Sequence, residues 1–203
     1  MRFVPLPVSF YEPGAELVAP LLLGHWLVRK TPHGPSGGII VETEAYLAND
    51  PASHGYRRET PRNRAMYGAP GRAYVYFIYG NHWCFNAVCR PVGEAEAILV
   101  RAIEPAFGIE WMQGNRPVTK TIELTNGPAK LCNALAIDRS LDAANLCDRE
   151  SQVFIAENPE RLNAVQRLGQ VSTTTRIGIT KAADSPLRFL LSGSNHVSRR
   201  ARS

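Results

Sequence analysis

A chain of 203 residues with 44% hydrophobic and 20% charged content carries enough apolar material for one substantial core, and no stretch resembles a linker between two domains, so a single domain over residues 1–203 is expected. The N-terminal stretch Met1 to Gly14 holds Pro5 and Pro7 and no continuous apolar segment, and the longest apolar run, Leu17 to Leu23, is too short to cross a bilayer. A secretory leader and a membrane span are thereby disfavoured, a soluble cytoplasmic protein is expected, and the formal net charge of +5 suits a polyanionic partner.

In chain order, Ala15 to Leu23 predicts a helix that Pro20 makes irregular and Gly24 ends. A strand follows at His25 to Lys30, a Pro-Gly-rich turn at Thr31 to Gly37, and a second strand at Ile39 to Tyr46. Period-2 geometry puts Glu42, Glu44 and Tyr46 on one face of that strand and Val41, Thr43 and Ala45 on the other. Two acids on one structured face repel each other and resist desolvation. Either they build a site or they form the solvated face of an edge strand, and this segment alone leaves both open.

Ala48 to Gly71 reads as a long loop with one helical turn. His54 lies in it, and Arg57, Arg58, Arg62, Arg64 and Arg72 crowd the stretch beyond, opposed only by Glu59. Six of the seven tyrosines (Tyr46, Tyr56, Tyr67, Tyr74, Tyr76 and Tyr79) fall in the same region. Guanidinium forks suit phosphate and aromatic faces suit bases, so the combination points to a nucleic-acid site that contains chemistry.

Ala73 to Tyr79 and His82 to Arg90 predict two strands joined at Gly80-Asn81, a hairpin turn of the primed type. A strand at Glu96 to Ile103 and a helix at Ala106 to Gln113 follow, then a helix at Ala129 to Ala136 behind Pro128. Asp142 to Gln170 carries no legible pattern; Arg176 to Thr180 and Leu187 to Leu191 predict closing strands, and a basic tail from about residue 196 is expected to be disordered. Consecutive strands on short connections predict an α+β fold, an antiparallel curved sheet with flanking helices and a protruding hairpin. The four cysteines, Cys84, Cys89, Cys132 and Cys147, have no metal-ligand spacing among themselves or with the histidines, so reduced thiols, no metal and no cofactor are expected.

Several ordered segments carry a resemblance: Val41-Glu-Thr-Glu-Ala-Tyr46, Thr60-Pro-Arg-Asn-Arg64, Tyr74-Val-Tyr-Phe-Ile-Tyr-Gly80, Cys84-x-Asn86, Leu99-Val-Arg-Ala-Ile-Glu-Pro105, Gly127-Pro-Ala-Lys-Leu-Cys132 and Arg176-Ile-Gly178. Together they resemble the alkyladenine (3-methyladenine) DNA glycosylase family over nearly the whole chain. The resemblance implies a monofunctional base-excision repair enzyme, acting as a monomer on double-stranded DNA, at the nucleoid if bacterial. It would flip a damaged purine, alkylated or deaminated, out of the duplex and hydrolyse its N-glycosidic bond.

Glu44 would then be the general base, with Arg101 and the backbone near Ile177 helping to hold the attacking water, and Glu42 a paired structural acid. A carboxylate near C1′ suits an oxocarbenium-like transition state whatever the family. The resemblance further implies that Tyr46 and Tyr76 sandwich the flipped base, that His54 closes the pocket, and that Asn86 lies against the purine edge. Arg62, Arg64 and Lys130 are candidates for the DNA backbone. Tyr79 stands immediately before the Gly80-Asn81 turn, where a ring is free to act as a wedge in the minor groove. Asn81-His82-Trp83 departs from the methionine-containing form of that turn, and Ala106 to Thr125 matches only loosely. Two other classes compete: a non-catalytic nucleic-acid binding domain, and a metal-dependent nuclease using the carboxylates and His54 as ligands.

Overall fold

The computed structural model describes residues 2–78 and 80–198; Tyr79 and the basic run 199–203 lie outside the described residues. Helix α1 (Ala15–Leu22) buries Ala15, Val18, Ala19 and Leu22, the one-sided spacing expected of a surface helix, and Pro20 closes its last turn. Both ends are satisfied by the sheet. The Ala15 N–H donates to Glu96 at 2.8 Å, and the Thr43 hydroxyl donates to the carbonyl of Ala19 at 2.9 Å.

Strand β1 (Trp26–Thr31) turns at Pro32-His33 into β2 (Gly34–Tyr46), a strand of 13 residues. The predicted turn, Thr31 to Gly37, is therefore mostly strand. Its glycines serve close packing: a Cβ on Gly37 would lie 2.0 Å from the Leu27 carbonyl oxygen, and one on Gly38 would lie 2.0 Å from that of Glu104. Next come β3 (Ala73–Ile78), β4 (His82–Cys89) and β5 (Glu96–Phe107), with helices α2 (Ile109–Asn115) and α3 (Pro128–Ala134) after them. The predicted Ala106 helix starts later because β5 runs through Pro105 and the chain leaves it at Gly108, whose φ of +63° favours glycine.

The illegible region holds β6 (Val153–Ala156) and α4 (Arg161–Leu168); β7 (Val171–Thr174) and β8 (Arg188–Leu191) follow. The predicted strand at Arg176 to Thr180 is a loop, because the Ile177 N–H is taken by a side chain and Gly178 has φ +79°. Among the described residues the strands form one antiparallel sheet in the order β3-β4-β5-β2-β1-β6, with β8 joining the far half of β2 and β7 pairing with β8. With flanking helices, this is the α+β layout expected. β2 lies at its centre, which brings Glu42, Glu44 and Tyr46 beneath elements from both ends of the chain. The tail expectation fails at its first residues: Val197 packs into the core and Ser198 bonds to Glu42.

Candidate active site

Both acids of β2 are fully buried, so the solvated-edge alternative is wrong. The ladder between β2 and β5 pairs Ile40 with Ile103, Glu42 with Ala102 and Thr43 with Val100, leaving Val41 and Arg101 as compensating extra residues. Such irregularities re-aim side chains. Arg101, itself buried, sends Nε to Glu42 at 3.0 Å and Nη1 to Glu44 at 3.2 Å. Arg188 of β8 reaches Glu42 at 2.7 Å. Two carboxylates thus face two guanidiniums, which offsets the repulsion and desolvation that the sequence alone made costly. Burial would lower the pKa of Arg101, but the Glu44 and Glu42 carboxylates outweigh it and hold it above the ordinary value.

Ser198 completes the set. Its N–H donates to Glu42 Oε2 at 2.6 Å and its hydroxyl to Oε1 at 2.8 Å, while Arg101 Nη2 donates to that hydroxyl at 3.1 Å. Glu44 is held separately. Its Oε1 accepts the Ile177 N–H at 2.8 Å and its Oε2 accepts the Tyr46 hydroxyl at 2.8 Å. Burial and the Glu44 charge push the Tyr46 phenol far above its ordinary pKa, so it stays a donor. The Ile177 loop is fixed by Arg176, which pairs with Asp50 in the interior, donates to the Ala45 carbonyl at 3.0 Å and lies 4.7 Å over the Tyr46 ring.

Above this floor opens a pocket of about 380 Å³, lined by Tyr46, His54, Tyr76, Asn86, Arg101 and Ile177 together with Met66, Cys84, Leu99, Pro128 and Ala129. The proposed base-binding residues are thus brought together, with Glu44 bonded to three of the lining residues. His54 Nδ1 lies 2.9 Å from the hydroxyl of buried Tyr74, and its ring meets Tyr76 edge-on at 4.4 Å. The surrounding walls and the Arg62 charge lower its pKa, favouring the neutral ring. Its loop is tied by Asn63, whose amide donates to the His54 carbonyl at 2.8 Å. Asn86, opposite Tyr74 on the β3–β4 hairpin, donates to the Tyr74 carbonyl at 2.9 Å.

A second hollow of about 310 Å³ shares His54 and Tyr74 with the pocket and is lined by Arg57, Arg58, Arg62 and Lys181 with no carboxylate. Of the backbone candidates, Arg62 is therefore adjacent to the pocket, and it also donates to the Phe77 carbonyl at 3.0 Å. Arg64 is exposed and paired with Glu59, and Lys130 reaches Asn126 at 2.7 Å from the first turn of α3. Tyr79 lies outside the described residues, though its neighbour Ile78 and His82 across the turn both line the pocket. Among the described residues no group of three or more His, Cys, Asp or Glu side chains could hold a metal ion. Sequence reasoning assigned no role to Arg188, Ser198, Tyr74 or the Asp50–Arg176 pair, although Tyr74 and Arg176 stand in segments that carry the resemblance and Arg188 in a predicted strand.

A family model for methylpurine-DNA glycosylase matches residues 9–195. A protein of Methanoculleus marisnigri is 49% identical over 198 residues, covering 96% of this chain and 99% of its own length. One from Francisella tularensis is 49% identical over 179 residues (88% and 91%), and one from Agrobacterium fabrum 45% identical over 195 residues (96% and 93%). All three carry the name "putative 3-methyladenine DNA glycosylase".

Proposed function

The chain belongs to the methylpurine-DNA glycosylase family, and from that premise we propose that it excises damaged purines, alkylated and deaminated, from double-stranded DNA by flipping them into the pocket above Glu44. The observation that carries this reading is the buried Glu44 carboxylate, held by Tyr46, Arg101 and Ile177, three residues that line one cavity. Each carboxylate oxygen has more than one lone pair, so Glu44 can accept a proton while keeping these bonds. Water attacks C1′, the bond from C1′ to the purine nitrogen breaks with its electron pair going to the base, the water proton goes to Glu44, and an abasic strand results. A cationic alkylated purine leaves neutral, and a deaminated purine takes up a proton from solvent as it leaves. The Arg101 guanidinium holds the Glu44 carboxylate in place at 3.2 Å, and an alkylated purine, already cationic, leaves readily.

Tyr46 and Tyr76 offer ring faces to a flipped base, neutral His54 and Asn86 offer edge contacts, and Arg62 with its neighbouring cations offers a track for phosphate. Tyr79 takes the wedge role by its place before the Gly80 turn. Tyr79→Ser should then slow excision from duplex DNA by about the 1 to 3 kcal/mol of one stacking contact. A single-stranded substrate should show a smaller loss, and equal losses on both would remove the wedge.

Incubation of the protein with alkylated duplex DNA in EDTA, with chromatography of the released bases, tests the function as a whole. Free alkylated purine with an intact abasic strand is expected. Tight DNA binding without base release would make the chain a binding module. Activity lost in EDTA and restored by a divalent ion would make it a metal-dependent nuclease, and a borohydride-trapped adduct would make it a lyase.

A further inference from the structure

We propose that Ser198 is a positioning residue for excision, holding the Arg101 guanidinium so that its far edge stays on Glu44. This rests on the glycosylase reading above, while Ser198 itself lies beyond the family match, which ends at residue 195. The chain leaves β8, turns at Ser194, whose N–H donates to the Leu191 carbonyl at 3.0 Å, and is pinned by Val197 in the core. That return path sets Ser198 over Glu42. A serine hydroxyl has one proton and two lone pairs. Here the proton goes to Glu42 at 2.8 Å, and the oxygen accepts from Arg101 Nε at 3.3 Å and Nη2 at 3.1 Å.

The Nε and Nη2 edge of Arg101 is thereby held, and Nη1 is presented to Glu44 at 3.2 Å. Ser198 does not itself line the pocket and bonds to Glu42 and Arg101 rather than to Glu44, so its effect passes through Arg101. Without the hydroxyl, Arg101 keeps Glu42 as its partner and can rotate toward it, which would relax the Nη1 contact on Glu44. Fold stability should change little, because the Ser198 N–H bond to Glu42 and the burial of Val197 remain.

The test measures single-turnover excision, affinity for duplex DNA containing an abasic-site analogue, and thermal melting for wild type, Ser198→Ala and Ser198→Thr in the full chain. Ser198→Ala is expected to slow excision by about tenfold, up to the roughly hundredfold that an ångström-scale misplacement can cost. Affinity and melting should stay at wild-type values, and Ser198→Thr, which keeps the hydroxyl, should recover most of the rate. Wild-type excision by Ser198→Ala overturns the inference, as does a loss of excision matched by losses in melting and affinity. Failure of the wild-type chain to release any base would instead overturn the glycosylase reading.

Discussion

The hollow beside the β1–β2 hairpin measures about 560 Å³ against about 380 Å³ for the pocket above Glu44, and it too mixes aromatic rings with cations: Phe3 and Phe154 with Arg2, Lys30 and Arg149. Size and lining composition do not separate the two. Their floors do. The hairpin hollow rests on Val28 and Phe154, part of a small apolar cluster, and of its cations Lys30 is tied through a half-exposed contact with Glu150 at 3.3 Å, a kind worth about 0 to 1 kcal/mol. The other pocket rests on fully buried carboxylates whose positions are set by Arg101, Arg188, Ser198 and the Ile177 peptide. Charge that is buried and fixed can act on a developing charge without reorganising, and charge on a mobile surface cannot.

Replacing the acid while keeping its shape breaks the difference most directly. Glu44→Gln should lower single-turnover excision by about a hundred- to ten-thousandfold, the usual contribution of a general base, while the protein still folds and binds abasic-site DNA. Excision near the wild-type rate would show that the floor holds the pocket's shape and does no chemistry.

Strand alternation made part of that floor legible. Glu42, Glu44 and Tyr46 share a face in the sequence and in the fold, because the two irregularities at Val41 and Arg101 cancel within four residues and restore the register. The β3–β4 hairpin was legible for the same reason. What stayed hidden has three physical causes. β6 and β7 are four residues each, too short to show a period, and β6 exists through pairing with β1, more than a hundred residues away in the chain. Arg176 to Thr180 has strand-like composition, yet its backbone is claimed by Glu44 rather than by a neighbouring strand. Ser198 is a single serine ahead of a basic run, and nothing local announces that its N–H and hydroxyl will meet a carboxylate on β2.

A pH experiment sharpens the comparison by separating the site from the distant core. His25, buried between α1 and β1, accepts the Asn158 N–H at 3.2 Å through Nδ1, and burial followed by the Arg161 charge lowers its pKa from 6.5 to about 4. Above pH 6.5 the folded and unfolded chains both leave it neutral. Below that the unfolded chain takes up a proton that the folded chain refuses, so stability falls as pH drops toward 4, by roughly 3 kcal/mol in all. Thermal melting across this range should show the loss, and His25→Gln should flatten it while lowering stability at neutral pH. An unchanged slope in that variant would move the acid sensitivity elsewhere, with the half-enclosed His54 the next group to test.

The smallest effects come from matched arginines at the two hollows. Arg149 is exposed beside the hairpin hollow, whereas Arg62 lines the cationic hollow that shares His54 with the pocket above Glu44. If only the second hollow meets DNA, Arg62→Ala should weaken binding to any duplex and reduce the salt slope, d log K/d log[salt], by about 0.9, one phosphate contact. Arg149→Ala should leave affinity, salt slope and excision as they are, and melting within about 0.5 kcal/mol, as for an ordinary surface substitution. The salt slope is the decisive readout, because it counts phosphate contacts and is blind to chemistry at Glu44. Equal slope changes in both variants would mean that DNA wraps as far as the β1–β2 hairpin, and the two hollows would then differ in chemistry alone and not in what touches them.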